Sequence, residues 1–172
     1  MSQKKYLDLA GLTAYDRKIK EWFKAGVVDI ADEAIRALFV TVAEGPADNE
    51  IWYTTTTGEK INPINGASNS INSFTSHIYE NNLGKLIYNE NVTYISPGGF
   101  QGQHDLTTCY LPSSITEIYD YVFYDCPLLD KVYYNGTVEM WNNIELNAIA
   151  VGLSNSITVY CIDGKITIQP VN

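Results

Sequence analysis

The chain has 172 residues, of which 45% are hydrophobic, and it carries a formal net charge of −9 at pH 7. From residue 51 onward it holds four lysines, no arginine and eleven acidic residues. A surface so poor in cations lacks the phosphate-neutralising patch that nucleic acid requires, and it is equally unsuited to an anionic membrane surface. We therefore expect no nucleic-acid partner and no membrane partner.

The N-terminal residues predict an amphipathic helix over 8–25. Its apolar side chains recur at helical spacing on one face, and they are Leu12, Tyr15, Ile19, Trp22 and Phe23. A second, shorter helix is predicted over 27–37. Because large exposed apolar patches are uncommon on monomers, this face must be covered by the rest of the chain, by other copies or by another protein. We expect residues 1–37 to form a helical attachment or oligomerisation segment.

The residues that follow predict a β-hairpin and a loop. Two runs rich in β-forming residues, 38–42 and 51–56, flank the turn-like stretch 44–49, so we expect them to pair. Residues 62–73 are rich in Asn, Ser, Gly and Pro, which indicates a loop. We assign 38–82 to a connector.

The next part of the chain repeats itself at an offset of 23 residues. Leu83-Gly-Lys-Leu-Ile-Tyr88 recurs at 106–111 and again at 129–134. The same offset relates Val92 to Ile115, Thr93 to Thr116, Ile95 to Ile118, and Phe100 to Phe123. The pattern L-x-x-L-x-L at this period is typical of a leucine-rich repeat, in which each copy must stack on its neighbours. We therefore expect Leu83, Leu106 and Leu129 to lie on neighbouring rungs.

The C-terminal residues predict a closing hairpin. The β-rich runs 157–162 and 165–168 flank Asp163-Gly164, which is a strong hairpin signal. The predicted fold class is α+β: an N-terminal helix or helices, a β-hairpin, and a short β-rich leucine-rich repeat solenoid capped by this C-terminal hairpin. The repeat module and its cap occupy 83–172.

The segment 111–129 resembles the BspA-type leucine-rich repeat, whose unit reads approximately I-P-x-S-V-T-x-I-G-x-x-A-F-x-x-C-x-x-L. The residues that fit it are Pro112, Ser114, Ile115, Thr116, Ile118, Phe123, Cys126 and Leu129. Tyr119 and Val122 stand where the family usually has Gly and Ala. The resemblance covers about 83–168, and it implies surface adhesion or protein binding without a shared chemistry.

A second resemblance lies in Lys5-Tyr-Leu-Asp-Leu-Ala-Gly-Leu-Thr-Ala-Tyr-Asp-Arg-Lys-Ile-Lys20. This segment is similar to the opening of virion fibre and appendage proteins from phages of gut bacteria, where it is taken to attach or oligomerise. The start of the chain also lacks the apolar stretch of a secretory signal. If this start is the natural one, we expect a protein made in the host cytoplasm and released within virions.

The sequence contains no pattern that predicts catalysis. His77 and His104 have no patterned partner, and no nucleophile–base or acid–base constellation can be assembled from spacing. Asp120, Asp125 and Asp130 recur every five residues, but an EF-hand needs a different spacing. We expect a non-enzymatic protein with no cofactor and no metal.

The 13 tyrosines are the most informative excess. In the repeat strands the residues between the leucine-like positions face outward, which places Tyr110 and Tyr133 side by side. The candidate ligand-binding residues are Ile87, Thr108, Tyr110, Lys131 and Tyr133, because tyrosine offers apolar area with a polar tip. The alternative is that these pairs only stabilise the sheet.

The sequence as a whole favours a phage virion structural protein, a head or tail fibre or decoration, that displays the repeat module towards a host-surface protein or glycan. We expect a homo-oligomer, with a trimer favoured by analogy with fibres, and contacts with other virion proteins. The alternative is a BspA-like adhesion or interaction protein on the bacterial cell surface.

Overall fold

The computed structural model describes residues 45–64, 67, 74–146 and 153–170. They belong to one compact unit, Gly45–Asn172. The strands are β1 (Glu50–Thr55), β2 (Phe74–Glu80), β3 (Leu83–Tyr88), β4 (Tyr94–Ile95), β5 (Leu106–Leu111), β6 (Glu117–Ile118), β7 (Lys131–Tyr134), β8 (Glu145–Leu146), β9 (Ile157–Tyr160) and β10 (Lys165–Ile168). One α-helix, α1 (Val138–Asn142), is found in the described residues.

The strands form two sheets that share one core. The large sheet has seven strands in the order β10-β9-β7-β5-β1-β3-β2, and the small sheet has three parallel strands in the order β4-β6-β8. Within the large sheet, β5, β7 and β9 are parallel, and the other pairs are antiparallel. Leu86 and Val132 of the large sheet and Ile118 of the small sheet belong to one buried cluster. We call the face of the large sheet that packs on this core the inner face, and the opposite face the outer face.

The predicted α+β class is wrong. The regular secondary structure of the described residues is nearly all β, in a mixed seven-stranded sheet and a parallel three-stranded sheet, and their one helix has only five residues. The predicted helices at 8–25 and 27–37, with their attachment residues, lie outside the described residues, as does the strand expected at 38–42.

Strand β1 also corrects the predicted solenoid. It lies between β3 and β5 and pairs antiparallel with both, so these two repeat strands are not neighbours in the large sheet. Ile51 and Tyr53 are completely buried on one face of β1, and Trp52 is 3% exposed on the other. A strand that is apolar on both faces is suited to a central position. β1 therefore makes two long-range pairings, and the partner predicted for it at 38–42 lies outside the described residues.

The 23-residue repeat is confirmed where consecutive copies touch directly. Ile95 pairs with Ile118 in the small sheet, and Cys109 pairs with Val132 in the large one. The rings of Phe100 and Phe123 are stacked with centroids 5.7 Å apart. The backbones of the return segments are also equivalent at this offset, since Gly98 and Tyr121 both have positive φ, 61° and 58°. The repeat thus describes equivalent backbone positions as well as equivalent side chains.

Leu83 is the exception, and the prediction that it shares a spine with Leu106 and Leu129 is wrong. Leu106 and Leu129 are in the main core, whereas Leu83 packs with Trp52 and Tyr110 in a separate cluster on the outer face. In β3 the regular alternation places Leu86 in the main core and Leu83 on the other face. In β5 the pairing with β1 shifts by one residue between Thr108 and Leu106, which leaves Leu106 on the same face as Cys109. The equivalence of the copies holds from Leu86 onward.

Two hairpins complete the large sheet. The β2–β3 turn is Asn81-Asn82, and both residues have positive φ, 52° and 62°, as a type I′ turn requires. At the other edge, β9 and β10 form the antiparallel pair around Asp163-Gly164, and β9 continues the parallel rungs by pairing with β7. Both edges of the large sheet are therefore strands of antiparallel hairpins.

Gly84 allows β1 to fit against β3. It is paired with Tyr53, and a Cβ added to Gly84 would lie 2.0 Å from Cζ of the Tyr53 ring. The tyrosine ring therefore occupies the space that a side chain on β3 would take. This contact fixes the position of β1 at the centre of the sheet.

We predict that Gly84→Ala lowers the free energy of unfolding by about 1–3 kcal/mol, because the Tyr53 ring must move out of a close-packed site. Urea denaturation measures this change. In a Tyr53→Ala background the same glycine substitution should cost almost nothing, since the obstructing ring is gone. An equal cost in both backgrounds would contradict the proposed packing.

Candidate functional site

A row of side chains crosses the outer face of the large sheet. The register pairs Trp52 with Lys85 on one side and with Tyr110 on the other. The row continues through the pairs Tyr110–Tyr133, Tyr133–Tyr160 and Tyr160–Lys165. We call the four aromatic residues of this row, Trp52, Tyr110, Tyr133 and Tyr160, the aromatic ladder. It runs across four adjacent strands and has a lysine at each end.

The three tyrosine rings of the ladder stand face to face. The Tyr110 and Tyr133 centroids are 5.0 Å apart with 18° between the ring planes, and the Tyr133 and Tyr160 centroids are 5.0 Å apart with 22° between them. Nζ of Lys85 lies 4.3 Å from the centroid of the Trp52 ring, a cation–π contact. Because the ring faces cover one another, the outward-facing parts are ring edges and phenolic hydroxyls.

Exposure differs along the ladder. Trp52 and Tyr110 are only 3% and 4% exposed, whereas Tyr133 and Tyr160 are half-buried. Burial, with smaller contributions from Tyr133 and Cys109, raises the pKa of Tyr110. The indole Nε1 of Trp52 donates a hydrogen bond to Oε2 of Glu50. A ligand can therefore reach Tyr133 and Tyr160, while Trp52 and Tyr110 fix the position of the rings beside them.

A second row of side chains lies beside the ladder on the same face, two residues away along each strand. It consists of Thr54, Thr108, Lys131, Thr158 and Thr167, which are paired in that order. Nζ of Lys131 is 3.3 Å from Oδ2 of Asp130. The outer face of β7, β9 and β10 thus combines lysine ammonium groups with the hydroxyls of threonine and tyrosine.

Four of the five residues proposed from the sequence as ligand-binding come together. Thr108 pairs with Lys131, and Tyr110 pairs with Tyr133, so the predicted stacking of the two tyrosines is confirmed. Ile87 is not with them, because it pairs with Glu50 on the far side of β1. Whether these residues bind a ligand stays a prediction.

Sequence reasoning missed Trp52, Tyr160 and Lys165. Tyr160 pairs with Tyr133 at an offset of 27 residues, so a search at 23 cannot find it. Trp52 belongs to a strand outside the repeat, and its position depends on the insertion of β1. Lys165 follows Asp163-Gly164, but a two-residue turn there would have placed it opposite Ile162. The observed loop has four residues, 161–164, and pairs Lys165 with Tyr160.

The remaining titratable groups of the described residues have structural roles. Tyr53 and Nε2 of His77 share a hydrogen bond; burial raises the pKa of Tyr53 to about 12, and burial together with Lys60 lowers the pKa of His77. The three cysteines are free, and burial raises the pKa of Cys126 and Cys161 to about 11. Such thiols are unreactive at neutral pH.

A search of the described residues finds no group of metal-ligating side chains, and no helix there has the length and apolarity to cross a bilayer.

We predict that Tyr133 and Tyr160 stabilise the sheet cooperatively. A double-mutant cycle of Tyr133→Ala and Tyr160→Ala should give a coupling energy of about 0.5–1.5 kcal/mol, the range found for aromatic pairs. Urea denaturation of the four proteins measures it. As a matched control, Tyr133→Ala and Tyr94→Ala should be additive, because Tyr94 is in the small sheet. Additivity in both cycles would mean that the stacking contributes nothing to stability.

Comparison with known families agrees with this architecture. The family model of the BspA type leucine rich repeat region matches residues 56–159 in six copies, which is more than half of the chain. The match begins before the first copy recognised in the sequence, and it includes β2 to β8 and the first three residues of β9. No curated protein and no solved structure shows significant similarity to the chain. The repeats, their register and this match together establish that the chain belongs to the BspA type leucine-rich repeat family.

Proposed function

We propose that this protein is a non-enzymatic adhesion or interaction module that binds its partner through the outer face of β7, β9 and β10. The observation that carries the proposal is the accessible end of the aromatic ladder, where half-buried Tyr133 and Tyr160 lie beside Lys131 and Lys165. Family membership supports it, because BspA-type repeats form a repeat and interaction domain.

The ladder gives this face the properties of a good binding surface. Tyrosine supplies a large amphipathic contact at a low cost in conformational entropy. Here that cost is lowered further, since Tyr133 is held between Tyr110 and Tyr160 at centroid distances of 5.0 Å. Side chains on strands of a sheet are also positioned more rigidly than side chains on loops. The tyrosines are therefore arranged for binding before a partner arrives.

The proposal that the protein lacks enzymatic activity is supported by the separation of its titratable groups. His77 shares a hydrogen bond with Tyr53, and His104 pairs with Asp125 on the surface. Acid–base or nucleophilic catalysis needs such groups gathered around one reacting atom. These pairs are on different elements and each is occupied by its own partner.

For binding, we predict that Tyr133→Ser with Tyr160→Ser lowers adhesion of the labelled protein to its target cells by about tenfold, as loss of interface aromatics does. The cells are bacteria of the community in which the gene occurs, and adhesion is measured by flow cytometry. The matched control is Tyr94→Ser with Tyr119→Ser, a half-buried tyrosine pair 5.8 Å apart that involves the small sheet. Equal adhesion of the two double variants would contradict the assignment of the binding face.

We further propose that the module is carried by a phage particle, as a head or tail fibre or decoration, and that residues 1–37 attach it there as a trimer. The resemblance of Lys5-Tyr-Leu-Asp and the residues after it to virion appendage proteins supports this proposal. The alternative is a BspA-like protein of the bacterial cell surface, and family membership supports this alternative.

The two locations give different results by mass spectrometry. If the protein is a virion component, its peptides should be enriched with those of capsid proteins in particles purified on a density gradient. Enrichment in the cell-envelope fraction of uninfected bacteria would overturn the virion proposal and support the cell-surface alternative.

A further inference from the structure

The lysines of the folded unit are concentrated on one face. Residues 45–172 contain four lysines and no arginine. Three of the four are on the outer face. Lys85 and Lys165 lie at the two ends of the aromatic ladder, and Lys131 belongs to the second row. The fourth, Lys60, donates a hydrogen bond to the carbonyl of His77. The outer face also carries Glu50 on β1 and Glu80 on β2. In a chain of net charge −9, an anionic ligand is therefore expected to meet the least repulsion on the part of this face formed by β7, β9 and β10, away from these two carboxylates.

Every residue of the two rows between β5 and β10 is a tyrosine, a threonine or a lysine. The ladder row contributes Tyr110, Tyr133, Tyr160 and Lys165, and the second row contributes Thr108, Lys131, Thr158 and Thr167. Each of these side chains can donate a hydrogen bond. Asp130 contacts Lys131 from the edge of this area, with 58% of its side chain exposed. The area is therefore cationic and rich in hydroxyl groups, which suits a ligand with carboxylates and many hydroxyls.

The spacing of the ladder distinguishes between two kinds of extended ligand. Stacked tyrosines with centroids 5.0 Å apart place equivalent ring edges and hydroxyls at that interval across the strands. The interval is close to the length of one hexopyranose unit in an extended glycan. A peptide strand repeats its side chains on one face about every 6.8 Å, so it falls out of step with the ladder. The ligand that fits the spacing runs across the strands as a sugar chain.

We propose that the outer face of β7, β9 and β10 binds an acidic polysaccharide, an inference that rests on the proposed binding function of this face. Sugar hydroxyls and ring oxygens accept and donate hydrogen bonds at Tyr133, Tyr160 and Thr158. Lys131 and Lys165 contact carboxylates of different sugar units. The two lysines are two strands apart and belong to different rows, which at ordinary strand spacing puts their Cα atoms about 12 Å apart. The exposed ion pairs make binding sensitive to salt.

The test measures binding of the full chain to a hexamer of galacturonic acid by isothermal titration calorimetry. A neutral hexamer of glucose and a deca-glutamate peptide are the comparison probes. We expect the acidic hexamer to bind at least about tenfold more tightly than either, with affinity falling between 50 and 500 mM NaCl. Lys131→Gln with Lys165→Gln should weaken binding by about tenfold, and Tyr133→Phe with Tyr160→Phe, which keeps the stacked rings, should weaken it several-fold.

Lys60→Gln is the matched control, because this lysine lies off the outer face and should leave binding unchanged. Equal affinity for deca-glutamate and the acidic hexamer would overturn the polysaccharide assignment, as would binding of the hexamer that survives both double variants. If no probe binds but the Tyr133→Ser, Tyr160→Ser variant loses cell adhesion, the acidic glycan is excluded and the binding face stands. If that variant also adheres normally, the face itself is excluded.

Discussion

The insertion of β1 between β3 and β5 is the constraint on which the rest of the described structure depends. Each coil of the repeat contributes one strand to each sheet, and β4 and β6 are direct neighbours in the small sheet. In the large sheet the corresponding strands β3 and β5 are separated by β1. A strand at this position must bond on both edges, and the apolar residues Ile51-Trp52-Tyr53 allow β1 to be buried on both faces at its centre.

The same insertion determines which part of the aromatic ladder is buried. Trp52 extends the aromatic ladder to β3, where Lys85 covers its ring, and it packs with Leu83 and Tyr110. These contacts bury the first half of the ladder and leave Tyr133 and Tyr160 as its accessible half. Tyr133 and Tyr160 both take part in the stacking and keep accessible edges, so a stabilising role and the proposed binding role are compatible for the same residues.

The sequence predicted those features that follow from local periodicity. The 23-residue offset placed Ile95 beside Ile118 and Tyr110 beside Tyr133, and Asp163-Gly164 located the last hairpin. It did not predict β2, although Asn81-Asn82 is a turn signal, and it did not predict the pairings of β1 with β3 and β5. Long-range pairings of this kind are decided by the tertiary packing, here by the fit of Tyr53 over Gly84, which no local pattern encodes. The candidate site was found in part, because Tyr160 follows a different spacing.

Amide hydrogen exchange of residues 51–54, followed by NMR, tests the central position of β1 most directly. A strand bonded on both edges opens only with the sheet around it, so its amides should exchange as slowly as those of β5. Protection of β5 together with rapid exchange of residues 51–54 would show that β1 is not the strand that joins β3 to β5.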